Sequence, residues 1–377
     1  MRNPRLLIPG PVEADDDVLA AIGAQTLPHY GALWMRLFEE TTQLLQQLFG
    51  TKGSVLMIPG PGTAALEGAI SSLVPRGESI VTLDNGFFGS RMAQIVEACG
   101  IHAPVVRAEW GQPVEPDALR RALGEIIPRA AAGGQPVRAV AIVHHETSTG
   151  VLNPVPELAA VAREFDLAVI VDAVASLGGV PVEFDAWGLD ACASVPNKCL
   201  GAPPGVAVMA VSERAWQMSK ANPTPHGWYL DLRTWDWYIQ NWGDWHPSPT
   251  TMPTNNVVAL HAALEKLLAH GPEHHFASIQ WAADCTRAGM QELGFTLYPA
   301  PEAAAPVISA LNSRPDVAPA DLQAYLARHG LMISGGLGAL KGKIVRVGHM
   351  GRAKEPAVVE ALLEAVGAFL KEKAKDH

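Results

Sequence analysis

Short Val- and Ile-rich runs alternate with longer segments of helical spacing over most of the first 210 residues. The runs are SVLMI (54–58), SIVTL (79–83), AVAIVHH (139–145), LAVIVDA (167–173) and GVAVMAV (205–211), with TAALEGAISSLV, RMAQIVEACG and VPELAAVAREF between them. Strands that are apolar at nearly every position have no solvated face, so both faces of their sheet must be covered. Helices as the connecting segments then imply a mostly parallel sheet wrapped on both sides, an α/β class. Ligands of such a sheet collect at the carboxyl ends of its strands, where the loops gather.

From about residue 220 the pattern breaks into a Trp- and Pro-rich stretch. Five of the ten tryptophans, Trp228, Trp235, Trp237, Trp242 and Trp245, fall within it. Core and subunit packing is the plainer reading of these rings, ahead of substrate contact. Helical patterns follow at about 256–270 and 273–294. The tail then reads as strands FTLYP, APVISAL, LMIS and KIVRVG, interleaved with helices near 319–329 and 355–372. The expected organisation is an N-terminal arm (1–15), a large domain (16–260) and a smaller α+β C-terminal domain (261–377).

A net charge of −10 argues against nucleic acid or an anionic membrane as the main partner. The three-residue apolar run before Pro9 is too short for a signal peptide, and no apolar stretch reaches the length of a membrane span. Cys99, Cys192, Cys199 and Cys285 are scattered, as in a reduced intracellular protein. A soluble, cytoplasmic protein is expected.

Several candidate residues lie at the predicted strand ends. Asp172 follows a run of apolar residues; alone it reads equally as the cap of the next turn or as a carboxylate held in low dielectric to meet a cation. Lysine is scarce, with only Lys198, Lys220 and Lys266 between Lys52 and Lys341. Lys198 stands among small and apolar residues in ACASVPNKCLGAPPG, where desolvation would lower its pKa and favour reaction with an aldehyde. IPGPGTAALEG places glycines just before a helix start, with Thr63 near the N-cap, which makes an anion site. NGFFGSR and ETSTG follow two further strands and offer an aromatic and hydroxyls. His144 and His145 are adjacent on a strand, so they point to opposite sides and do not form a metal pair. A phosphate loop, an aromatic plate, a buried carboxylate and an isolated amine together fit pyridoxal 5′-phosphate.

These segments resemble the class V aminotransferases, specifically the alanine–glyoxylate and serine–glyoxylate group. The likeness runs from LLIPGPV near the start to GGLGALKGKIVRVGHMG near the end, and ETSTG, VDAVAS, NKCLGAPPG and KGKIVRVGHMG carry most of it. It implies an aspartate-aminotransferase-like, fold-type-I architecture and ping-pong transamination between small amino acids and 2-oxo acids. Alanine or serine is the expected donor, and glyoxylate or pyruvate the acceptor. By the same resemblance, Lys198 is the lysine that bonds the cofactor aldehyde and Asp172 partners the pyridinium nitrogen. Val174 lies against the ring, Thr147 bonds the ring hydroxyl, and Phe88 is the stacking plate. Pro61, Gly62, Thr63 and Asn197 hold the phosphate, and Arg346 grips the substrate α-carboxylate with Gly10 beside it. A homodimer with shared sites is implied, in which Ser248 and Thr251 close the neighbour's phosphate site.

The chain departs from the group at PGPGT for SGTGT, Phe88 for Trp, Asn197 for Gln and Ser248 for Tyr. NKCLGAPPG also resembles pyridoxamine–pyruvate aminotransferase, but GPGTAALE keeps the usual loop form and favours bound cofactor. A ureidoglycine–glyoxylate transaminase is a further alternative. A lyase of the same fold is a weaker one, because a desulfurase needs a reactive cysteine towards the C-terminus and none follows Cys285.

Overall fold

The protein is described by a computed structural model covering residues 4–225 and 227–375. A seven-stranded sheet forms its centre, with β1 (Ser54–Pro59), β2 (Ser79–Asp84), β3 (Val105–Arg107), β4 (Val137–Val143), β5 (Ala168–Asp172), β6 (Ala191–Ser194) and β7 (Val206–Val211). Their spatial order is β1-β7-β6-β5-β4-β2-β3. The sheet is buried on both sides, and alternate residues sort to opposite faces as the pleat requires. Val140, Ile142, Val169 and Val171 join one core, whereas Ala139, Ala141, Val143, Ala168 and Ile170 join the other.

Every pairing is parallel except those of β7, which runs antiparallel to both neighbours. The physical reason lies in residues 195–205. A parallel crossover needs a dozen or more residues, usually a helix, and this loop supplies neither. Because it turns straight back from β6 to β7, its tip, with Asn197 and Lys198, stays at the carboxyl ends of the parallel strands.

A second, antiparallel sheet contains β8 (Thr296–Leu297), β9 (Ile308–Asn312), β10 (Ser334–Gly335) and β11 (Ile344–Gly348), in the order β8-β9-β11-β10. Its own core gathers Phe295, Leu311, Val345 and Val347 with Leu362 and Val366 of the last helix, Pro356–Lys373. The helix Thr254–Leu268 spans the expected boundary at 260/261, and its Ala263, Leu264 and Leu267 belong to the core of the large sheet.

LMIS, expected as one strand, is divided. Leu331–Met332 pairs in parallel with Arg5–Leu6, and only Ser334–Gly335 joins the small sheet. The N-terminal segment therefore links the two sheets. Leu7 accepts from the Gly348 amide at 2.9 Å, and the Val12 amide donates to the Asn197 carbonyl at 3.2 Å. Of the five clustered tryptophans only Trp235 is fully buried, its Nε1 donating to the Tyr229 carbonyl at 2.7 Å.

Candidate active site

A cavity of about 250 Å3 opens at the carboxyl ends of the central strands. The β1–α1 turn contributes Pro61, Gly62 and Thr63, where α1 is Gly62–Leu73. Helix α2 (Phe87–Ala98) contributes Phe88 and Arg91, the end of β5 contributes Asp172 and Val174, and the β6–β7 loop contributes Asn197 and Lys198.

Helix α1 begins behind Pro61 without any side-chain cap. The first amides of a helix have no intrahelical acceptor, and the helix dipole adds partial positive charge there, so this turn is fitted to an anion. Gly62 brings the turn onto the cavity floor: a Cβ there would lie 2.7 Å from Val174 Cγ2 and 2.9 Å from Val195 Cγ1. Only glycine permits that approach.

Asp172, the last residue of β5, accepts a hydrogen bond from the Val174 amide at 2.9 Å. Burial pushes its carboxyl up to about 6, while the Val174 amide and the charges of Lys198 and Arg91 pull the other way. Lys198 is set against Gly10, where a Cβ would lie 2.7 Å from Nζ, and Nζ donates to the Pro9 carbonyl. Burial, reinforced by the charge of Arg346, holds its amine below the usual lysine range despite Asp172. A desolvated amine and a desolvated carboxylate thus share one cavity with an anion-binding turn and an aromatic face. Those residues fit pyridoxal phosphate: an amine for the aldehyde, a carboxylate for the ring nitrogen, Phe88 and Val174 for the ring, and helix amides for the phosphate.

Arg346 sits on β11 and is only 5% exposed. Its Nε donates to the Gly335 carbonyl at 2.8 Å and its Nη1 to the Thr147 carbonyl at 3.1 Å. Burial brings its pKa down to about 10, opposed by the negative charge of Glu146. Thr147 is buried beside it. The two guanidinium bonds fix the direction of the side chain and leave three of its five N–H groups for a ligand.

Ser248 and Thr251 do not line this chain's cavity. Ser248 is 1% exposed and donates its hydroxyl to the Thr250 carbonyl at 2.8 Å, whereas Thr251 is exposed. Of the two, only Thr251 has its side chain at the surface of this chain. His144 and His145 are both buried, the first edge-on to Trp187 and the second 3.3 Å from the Ala175 carbonyl.

Three contributors escape the sequence reading. Arg91 lines the cavity with its guanidinium 4.9 Å from the Phe88 ring centroid and 5.1 Å from that of Phe87. The Pro9 carbonyl holds Lys198, and a backbone group leaves no trace in side-chain composition. Glu146 bonds the amides of Phe88 and Gly89 at 2.8 and 2.9 Å. It stands at the start of ETSTG, where a glutamate among hydroxyls gives no sign of burial, so nothing in the sequence marks it.

The family model for class V aminotransferases matches residues 17–354. An uncharacterised aminotransferase of Methanocaldococcus jannaschii is 34% identical, over 97% of this chain and 92% of that protein. The pyridoxamine–pyruvate transaminase of Mesorhizobium japonicum is 30% identical, over 97% of this chain and 91% of its own length. Among solved structures, an alanine–glyoxylate aminotransferase from Nostoc superposes with a TM-score of 0.92 at 29% identity, covering 98% of this chain and 96% of that one. The chain belongs to the class V aminotransferases. It is a fold-type-I, pyridoxal-phosphate-dependent transaminase.

Proposed function

We propose that this transaminase moves an amino group from a small amino acid, alanine or serine, to glyoxylate or pyruvate, with Lys198 and Asp172 as its catalytic residues. The observation that carries the assignment is the pairing of a desolvated Lys198 amine with a desolvated Asp172 carboxylate under the uncapped start of α1. Pyridoxal phosphate, when bound, supplies the aldehyde carbon that carries the amino group and an electron-poor ring that delocalises negative charge from the substrate Cα.

Lys198 Nζ, held below the usual lysine range by burial, would take the proton from the substrate Cα and deliver it to the carbon on the far side of the substrate nitrogen. The Asp172 carboxylate holds a proton on the ring nitrogen. Phe88 and Val174 fix the ring plane, and Thr147 meets its hydroxyl. Pro61, Gly62, Thr63 and Asn197 surround the phosphate. The remaining N–H groups of Arg346 form a fork for the α-carboxylate, a group common to donor and acceptor. Gly10 leaves the space that the Lys198 side chain occupies, and so would lie where a substrate meets the amine.

We further infer a homodimer in which Thr251 reaches the partner's phosphate site. Exposed Trp228, Trp237 and Trp245, with Tyr30 and Leu33, support an apolar face available for the second subunit. Four free cysteines support a cytoplasmic setting. No helix among the described residues is long and apolar enough to cross a membrane.

Replacing Lys198 with Ala is expected to abolish both turnover and the visible absorbance of the lysine-bound cofactor. A variant that keeps both defeats the assignment. Mixing wild-type holoenzyme with single amino acids identifies the donor: alanine or serine is expected to bleach the visible band, and a band bleached by neither rejects that substrate class. The likeness to pyridoxamine–pyruvate transaminase favours one second reading, with free pyridoxamine as donor. Under it the purified protein carries no cofactor and converts pyridoxamine with pyruvate.

A further inference from the structure

Helix α2 carries the aromatic plate, yet it starts at Gly86, which has no side chain to cap it. The first amides of a helix need acceptors, and buried ones left bare are costly. Here the acceptors come from another part of the chain. Glu146 Oε2 accepts from the amides of Phe88 and Gly89, at 2.8 and 2.9 Å, and Ser148 Oγ accepts from the amide of Phe87 at 2.9 Å. Glu146 Oε1 in turn accepts from the Ser148 amide at 3.0 Å and the Ser148 hydroxyl at 2.5 Å. The first three amides of α2 are therefore closed by one buried carboxylate and the serine it orients.

Two further observations show that the space is built for this carboxylate. Glu146 is 0% exposed. A Cβ at Gly86 would lie 2.3 Å from Glu146 Cγ and 2.7 Å from Ser148 Oγ, so glycine at the helix start is what lets the side chain in. Burial pushes its pKa up, and the four hydrogen bonds, all donated to it, oppose that and suit the ionised carboxylate. Thr147, the next residue, gives its carbonyl to Arg346, and the Glu146 charge acts on that guanidinium.

We propose that Glu146 is a positioning residue of the transamination site: one buried negative charge that fixes the Phe88 plate through the start of α2 and balances Arg346 on its other side. The assignment rests on the reading of Phe88 and Arg346 given above. Neither the cofactor nor the substrate touches Glu146 in this scheme. Its effect passes through the direction of the ring face and the position of the guanidinium.

The test compares wild-type, Glu146→Gln and Ser148→Ala holoenzymes by visible circular dichroism of the bound cofactor, cofactor dissociation constant, KM and kcat. Glutamine presents an NH2 donor where four donors already converge. Losing hydrogen bonds to a charged group is expected to raise the cofactor dissociation constant at least about tenfold. It is also expected to shrink the dichroic band and to raise KM for the 2-oxo acid more than it lowers kcat. Ser148→Ala keeps the charge; it is expected to weaken cofactor binding by a smaller factor, about threefold or more, with KM unchanged. A folded Glu146→Gln enzyme with wild-type dichroism, cofactor affinity and KM overturns the proposal. If that variant does not fold, Ser148→Ala decides, and wild-type dichroism and affinity there overturn it equally. Failure of the wider reading would show instead in Lys198→Ala and Arg346→Ala, so the two outcomes are separable.

Discussion

At the scale of single residues, the site depends on charged groups kept where water does not reach. Asp172 shows the consequence most directly. Its folded pKa of about 6 lies above its ordinary 3.8, so between those values the native state binds more protons than the unfolded chain. Its contribution to stability therefore falls as pH rises from about 4 to 6 and stays low above that. In the cofactor-free protein, Asp172→Asn is expected to become the more stable form above pH 6, by about 1–3 kcal/mol, with the difference vanishing near pH 4. Thermal unfolding of both proteins across that range checks the sign. The same substitution should all but remove transamination, so stability and activity move in opposite directions. Arg346→Lys keeps the charge but loses the planar fork, and is expected to raise KM for both substrates about 10- to 100-fold. Steady-state kinetics with a fixed acceptor would measure it, and an unchanged KM would remove Arg346 from the carboxylate site. Lys198 was legible in sequence because an isolated lysine among apolar residues is rare. Arg91 and Glu146 were not, because a charged residue announces neither its burial nor its partner.

At the scale of elements, strand ends and turns do the positioning. β1, β2, β4, β5 and β7 were each visible as apolar runs, but β6 (Ala191–Ser194) and β3 (Val105–Arg107) were not. Both are short, and ACAS has none of the branched residues that mark a strand. Missing β6 also hid the antiparallel course of β7, since that follows from how few residues join the two. The β1–α1 turn yields a sharp expectation. Gly62→Ala forces the turn away from Val174 and Val195, and overpacking of this kind costs about 1–3 kcal/mol. Weaker cofactor retention should accompany the lower melting temperature. A variant with full stability and full cofactor affinity would show that the close approach of α1 is unnecessary.

At the scale of the whole molecule, the N-terminal segment ties the small sheet to the lysine loop. Leu7 accepts from the Gly348 amide at the end of β11, and Val12 donates to Asn197 on the same loop as Lys198. Arg346 comes from the small sheet and Asp172 from the large one, so the proposed site draws on both. The exposed aromatics form a second whole-molecule feature. Trp237 is 50% and Trp245 41% exposed, while their rings lie 6.0 and 5.1 Å from Trp242. Sedimentation is expected to give the mass of two chains. A Trp245→Glu variant, which places a charge in that patch, is expected to shift the protein towards monomer with loss of activity; a stable, fully active monomer would exclude a shared site.

The α/β class was legible in the residues alone, as were the isolated amine and the strand-end carboxylate on which the proposed chemistry rests. These follow from local pattern: an apolar run marks a buried strand, and a lysine alone among small and apolar residues marks a desolvated amine, whereas Asp172 gained its reading only beside the rest of the set. The tertiary structure alone decided the antiparallel β7, the division of LMIS between two sheets and the grip of Pro9 on Lys198. It also decided that Glu146 closes a helix 58 residues away in sequence. Each depends on contacts between distant segments, and the hydrogen-bond partner of a backbone amide is set by packing, not by the residue that carries it.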